Sequence, residues 1–496
     1  MKKIIIVGAG IAGLTAGIYG RLNGFHTEIF ELHTQPGGEC TGWDRGEYHF
    51  DGCIHWMMGT KQGVGLNKLW YEVGALDDSV GILNNKEFVR YALDGREFKI
   101  YRDVDKLEKH MLELSPQDEQ EIRALCKAVR KLSGLDIPVD KPADMMNVLD
   151  ILKILPMGLK MVSLGKYAKI SVIDLANRFK DPLIRLALSS IMPSPYSATS
   201  LVMTLASLND DDSGWPMGGS LRVAKRMEQR YLKLGGKVNY GKRVEKAIIK
   251  DGRAVGIRLK DGSEHFGDYV ISAADGHFTL FEMLDGKHLT EELKEMYSNN
   301  TKYPLYTTCQ VSFGIDCDLS NRPHAYSVKP EQPLDGGGLL NDTVGFRHFC
   351  YDPAIAPKGK SSVTCLLNAD FEYWKRKKKN PAEYRREKEL LLQRVQALLQ
   401  EIYPEVEGKI EKTDVATPMT YVRYCNAWKG AWMSFMITPG TKMSFAAKGD
   451  LPGLENFYMA GQWTSPPGGL PGAVMPGKFV ICRLCKKEGR KFKTQI

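Results

Sequence analysis

Long uncharged apolar runs are missing from this 496-residue chain. No stretch of about 18 such residues occurs, so no transmembrane helix is expected. Cysteine is sparse: ten residues, scattered singly except for Cys482 and Cys485. Scattered thiols build no disulfide framework, and a lone pair without further ligands builds no metal site. Cys482 and Cys485 fall in a helical pattern and read as helix-face packing. No leader-like segment precedes the first ordered pattern, so a cytoplasmic protein with reduced thiols is expected. Charge of one sign is also lacking, since 68 Lys and Arg against 59 Asp and Glu leave only +9. Without basic residues interleaved with aromatics, nucleic acid is not an expected partner. Finally, no Ser/His/Asp set and no carboxylate pair stands out for acid–base or nucleophilic catalysis.

Glycine is what the chain does have, 49 residues, gathered at a few places. The N-terminus reads Ile4-Ile5-Ile6-Val7-Gly8-Ala9-Gly10-Ile11-Ala12-Gly13. Four β-branched residues predict a strand buried on both faces. Gly8, Gly10 and Gly13 follow at the GxGxxG spacing. The first permits a tight turn, the second lets a pyrophosphate approach the backbone, and the third lets a helix lie close to the sheet. The helix start offers unpaired N–H groups and a positive dipole end to phosphate. Thr27 to Phe30 predicts the second strand, and Glu31 closes it, where a carboxylate can accept both ribose hydroxyls and repels a 2′-phosphate. Together these features predict a dinucleotide site.

A second glycine patch, Pro36-Gly37-Gly38, follows, then a short strand and turn over Tyr48 to Cys53. Nicotinamide-binding domains do not need this patch. Residues 104–210 read as helical. Within them, residues 151–169 set lysines among Leu, Ile and Met with few acids, a pattern that suits either a membrane interface or the wall of a substrate lobe. Trp215 to Leu221 is a glycine turn opening a helix to about Leu234. A strand meander through Val244 to Asp275 follows, with Asp251-Gly252 and Asp261-Gly262 as turns. A strand is expected over Tyr306–Ile315 and a helix over Pro381–Gln400, with the basic run Lys375–Lys379 a solvated approach to it. Near the end, Phe457 to Ala460 predicts a strand that stops at Gly461. Gly468-Gly469-Leu470-Pro471-Gly472-Ala473 then opens a last helix. Two glycine-opened helices at opposite ends of the chain would serve one large anionic ligand if they meet in one sheet. A flavin ring that becomes anionic on reduction suits the second.

These four blocks, in this order, resemble the phytoene desaturase-like flavoproteins, which include carotenoid desaturases and retinol saturases within the wider amine oxidase and glutathione reductase superfamily. The resemblance is firm in the first 52 residues, in 216–275 and in 460–473, and loose in between. It implies an α/β fold, with a Rossmann-type FAD-binding domain (parallel sheet plus β-meander) and a mixed α+β substrate domain. The flavin domain would take residues 1–100, 215–284 and 446–496, with a helical lobe over 101–214 and the substrate domain over 285–445. It also implies noncovalent FAD, held by Gly8, Gly10, Ala12, Gly13, Glu31, Gly37, Gly38, Val244, Gly461, Leu470, Gly472 and Ala473. Glu31 would hold the adenosine ribose, Val244 the adenine, and Gly472 and Ala473 the pyrimidine edge of the flavin. One departure matters: the family often has Arg after the second glycine pair, where this chain has Glu39 and then Cys40. The Gly-Gly-x-Cys form is closer to the saturase-like members.

The reading that follows is an FAD-dependent oxidoreductase that desaturates or saturates C–C bonds of a lipophilic polyene or isoprenoid-like substrate by hydride transfer at flavin N5. NAD(P)H or another donor or acceptor would serve transiently. His49, His55, Tyr421, Arg423 and Trp463 are the polar candidates near the flavin, each read more readily as a wall or core residue. Two alternatives remain: an amine oxidase-like flavoprotein, with Trp428 and Trp432 as aromatic walls, and a non-catalytic flavin or lipid carrier.

Overall fold

The computed structural model describes residues 1–162, 164–441 and 448–495. Strand Lys3–Val7 is the centre of a five-stranded sheet. His26–Phe30 and then Lys237–Asn239 lie on one side, and Tyr269–Ser272 and then Phe457–Met459 on the other, with every pairing parallel. Strand alternation divides its side chains between two layers. Ile4 and Ile6 pack into the core that holds helix Ile11–Leu22 and the C-terminal helix Gly469–Lys487. Ile5 and Val7 pack against the three-stranded antiparallel meander Val244–Lys250, Arg253–Leu259 and Glu264–Phe266. The sheet is therefore covered on both faces, as an apolar central strand requires.

A second sheet of seven strands forms the other half. Its order is Ile410–Ala416, Thr308–Ile315, Ser361–Asn368, Val344–His348, Ala325–Val328, Glu87–Leu93 and Arg96–Tyr101. All neighbours are antiparallel except Ala325–Val328 with Glu87–Leu93. The boundary expected at residue 100 is thus corrected, because strands 87–93 and 96–101 complete the sheet of the substrate half. The boundary expected between 445 and 446 falls outside the described residues. Helices between 104 and 209 pack against the edge strands of this sheet. Helix Pro381–Ile402, capped by the Asn380 side chain, packs against its central strands. The basic run before that helix is itself the last turn of helix Phe371–Lys378, where cations face the negative end of the dipole.

Three helices, Val148–Val162, Gly165–Ala168 and Val172–Ala176, follow one another here. None of the described side chains of Val148–Val162 is buried. Val148, Leu149, Ile151, Leu152, Leu155, Leu159 and Val162 are all exposed. This helix does not line the central cavity, but Met161, Leu164 and Tyr167 of the lysine-bearing stretch pack into the core of the helical lobe, as a lobe wall would, and Ile173 beyond it reaches the cavity.

Candidate functional site

The turn from the first strand into the first helix is built on glycine. Gly8 sits at φ +97°, and its N–H donates to the Phe30 carbonyl at 2.8 Å. A Cβ on Gly13 would lie 1.9 Å from the Gly8 carbonyl oxygen. Gly13 is therefore a packing residue beneath the turn and does not line the cavity. The second patch docks on the first: Gly37 N–H donates to the Ala9 carbonyl at 2.9 Å. From the far end of the chain Gly461, at φ +115°, brings its backbone beside Ala12, where an added Cβ would lie 3.4 Å from the Ala12 Cβ. Gly477 lets the C-terminal helix press against Ala12 and Thr15. The two glycine-opened helix starts therefore meet.

Glu31 lies at the end of the second strand, 7% exposed. One carboxylate oxygen accepts the Ala9 N–H at 2.6 Å and the other accepts the His33 N–H at 2.7 Å. Burial raises its proton affinity, and the N–H groups of Ala9, His33 and Leu32 oppose that rise. Each oxygen keeps a lone pair for a ligand hydroxyl.

These residues open onto one cavity of about 930 Å³ between the two sheets. Gly8, Gly10, Ala12, Glu31, Gly37, Gly38, Val244, Gly461, Leu470, Gly472 and Ala473 line it, as do His55 and Trp463. Three of the polar candidates do not. His49 points into the Gly42–Asp51 hairpin, its Nδ1 2.7 Å from Asp44. Tyr421 is buried in helix Pro418–Cys425, and Arg423 is exposed on the same helix with its guanidinium over the Tyr424 ring. Trp432 lines the cavity, whereas Trp428 stacks on His277 at 5.0 Å and does not line it. Trp463 is held edge-on by Phe435 at 5.4 Å. His55 is pushed down to about 3 by burial and then by the nearby Arg347 charge, so it is neutral at physiological pH.

Two acids complete the site: Glu39, which the sequence marked only as the loss of a cation, and Asp275, which it did not single out. Glu39 lines the cavity and accepts a 2.8 Å hydrogen bond from the Gln462 amide. Burial, with a smaller contribution from Asp275, pushes its carboxyl up to about 8, opposed by the Gln462 bond. Asp275, just past strand Tyr269–Ser272, accepts N–H bonds from Phe278 at 2.9 Å and Trp428 at 3.0 Å. Burial pushes it up to about 7. The signal for Glu39 was its place beside Gly38, for Asp275 the end of a buried strand.

Glu39 thus holds a proton in the folded chain that the unfolded chain releases above about 4.5. Stability contributed by that proton is full at acid pH and is lost as pH rises to about 8. Glu39→Gln, which cannot ionise, is expected to lose less urea midpoint than the wild type between about pH 5 and pH 8. Equal losses would show that Glu39 is not the titrating group.

The donor set fits FAD. Amides opened by Cβ-free residues line the phosphate region, a buried carboxylate stands where a ribose would lie, and the cavity spans both helix starts. Comparison with known proteins agrees. Residues 11–484 match the family model described as flavin containing amine oxidoreductase. The chain is similar to a lycopene-forming phytoene desaturase of Pseudescherichia vulneris, 25% identical over 96% of this chain and 98% of that one. It is also similar to prolycopene isomerase 1, chloroplastic, of an Oncidium hybrid cultivar, 23% identical over 85% of this chain and 73% of that protein. Among solved structures, cyclohexylamine oxidase from Brevibacterium oxydans IH-35A shares the fold, with a TM-score of 0.61 at 13% identity, covering 99% of this chain and 100% of that one. A match along nearly the whole length, on a chain whose glycine turns and buried acid form one cradle, places this protein in the flavin-containing amine oxidoreductase family.

Proposed function

We propose that this protein is an FAD-dependent oxidoreductase that desaturates or saturates C–C bonds of an elongated, lipophilic, polyene-like substrate. The observation that carries the reading is the character of the cavity beyond the glycine cradle. Its walls there are Trp56, Phe88, Ile173, Met192, Met203 and Trp432, a dry surface suited to an apolar chain. The curated relatives named for carotenoid substrates support it. Bound flavin supplies hydride acceptance and donation at N5. The chain would contribute orientation: Glu31 would take the ribose hydroxyls, the Val244 backbone the adenine, and the amides of Gly472 and Ala473 the pyrimidine edge. Glu39, its carboxyl pushed up to about 8 by burial, would add little negative charge to the cavity near neutral pH. A small redox partner such as NAD(P)H would supply or remove the electrons that the reaction needs.

Helix Val148–Val162 extends the proposal to a lipid surface. Its exposed leucines, isoleucine and valines would enter the interface, and Lys153 lies on the same helix. Co-sedimentation with vesicles containing anionic lipid is the expected result, and failure to bind removes this part of the reading. An amine oxidase predicts hydrogen peroxide when the oxidised flavoprotein meets alkyl or benzyl amines in air. No amine-dependent peroxide is expected, and a sustained rate would overturn the C–C assignment.

A further inference from the structure

Arg347 lies on strand Val344–His348 and lines the cavity on the wall opposite the glycine cradle. Its neighbours in register are Ala325 on one side and Thr364 on the other, and both line the same cavity. Among the described residues no carboxylate lies within ion-pair distance of it. The groups that act on its guanidinium are the hydroxyls of Tyr351 and Tyr91. A guanidinium in a mostly apolar cavity without an acid is costly unless a ligand supplies the counter-charge.

The surroundings reinforce the point. His55 and His324 flank Arg347 and are both held neutral, by burial first and by the Arg347 charge second. Arg102, close enough to act on His324, is buried with Nε and Nη1 unpartnered. Its Nη2 donates to the Ser213 carbonyl. The acids that do line the cavity are accounted for elsewhere. Glu31 is bound by backbone N–H groups, Glu39 by Gln462 and Asp275 by Phe278 and Trp428, while Asp342 is exposed. Asp211 acts on Arg102, which does not line the cavity, so the charge exposed to a ligand without a carboxylate partner is that of Arg347, which repels ammonium groups and attracts anions.

We infer that the substrate is an unsaturated apolar molecule bearing one carboxylate, and that Arg347 binds this carboxylate through its planar guanidinium. A guanidinium meets a carboxylate with two parallel N–H bonds, fixing which end of an elongated molecule enters first and so which C–C bond reaches the flavin. Thr364 stands beside it as a hydroxyl donor. The inference rests on the C–C oxidoreductase reading and narrows it, because a pure hydrocarbon would leave Arg347 with a hydroxyl partner but no counter-charge.

The test titrates the flavin-loaded protein with cis-parinarate, a fluorescent conjugated tetraene carboxylate, and with its methyl ester. Wild type is expected to bind the acid at least about tenfold more tightly than the ester. Arg347→Gln is expected to lose that preference while keeping its flavin and its affinity for the ester, and Arg347→Lys to restore part of it. Equal binding of acid and ester by wild type would overturn the inference and leave the apolar-substrate reading standing. Binding of neither would remove that reading, and the inference with it. The acid-to-ester ratio of wild type decides the matter even if Arg347→Gln does not fold.

Discussion

Gly13→Ala is expected to yield a chain without flavin and with lowered stability. The new Cβ would lie 1.9 Å from the Gly8 carbonyl oxygen and 3.1 Å from its carbon, both backbone atoms. Gly8 cannot retreat, because its own position faces the Ala273 carbonyl oxygen and its φ is +97°. The first helix must therefore lift from the sheet, carrying away the amides that would face the diphosphate. Overpacking of this kind typically costs about 1–3 kcal/mol, and a clash against fixed backbone falls at the upper end or beyond. Gly10→Ala is the informative partner. Its Cβ would meet nothing closer than the Gly37 carbonyl oxygen at 3.8 Å, so the protein alone accommodates it. The clash arises only with a bound diphosphate. Gly10→Ala should keep the urea midpoint of the apoprotein and lose at least about tenfold in FAD affinity, roughly one sidechain's steric exclusion. Flavin absorbance per chain and urea unfolding separate the two, and unaltered affinity in Gly10→Ala would place the diphosphate elsewhere.

Lys478→Met is expected to cost about 3–5 kcal/mol of stability. Lys478, 1% exposed on the C-terminal helix, pairs with Glu72 at 2.9 Å, and Glu72 also accepts a hydrogen bond from the Tyr19 hydroxyl. The pair ties the helix Gly65–Glu72 to both helices that pack on the parallel sheet. Removing the cation leaves the buried carboxylate with only the exposed Lys68 ammonium, 3.9 Å away, as counter-charge, whereas removing both charges leaves no buried ion. The double variant Glu72→Leu with Lys478→Met should therefore recover much of the loss. Urea unfolding followed by fluorescence measures both, and a double variant as unstable as the single one would show that packing, not charge, is at stake.

The flavin half of the fold was legible because its requirements are local. A turn that needs φ beyond the reach of most side chains, or a helix seated on a carbonyl, leaves glycine in the sequence at fixed spacing, and Glu31 follows at the end of the next strand. The cavity's far wall left no such mark. It is assembled from strands 87–93, 325–328, 344–348 and 361–368, and alternation does not say which polar residues of each strand turn inward. Arg347 was invisible for that reason. His49, Tyr421 and Arg423 were chosen by residue type, yet a hairpin pairing and a helix face direct them away from the cavity. Glu39 was read as the loss of a cation, when its enclosure makes it a neutral acid held by Gln462. The strands at 87–101 were assigned to the flavin half by proximity in sequence, but their hydrogen bonds belong to the seven-stranded sheet.

Anaerobic photoreduction of the purified flavoprotein, followed by addition of lipophilic polyenes, decides whether the flavin acts on C–C bonds. A polyene is expected to restore the oxidised flavin spectrum with loss of one substrate double bond, or the more saturated isoprenoid to bleach the oxidised enzyme. A flavin that no such compound oxidises or reduces, in a protein that amines reduce instead, would contradict C–C bond chemistry.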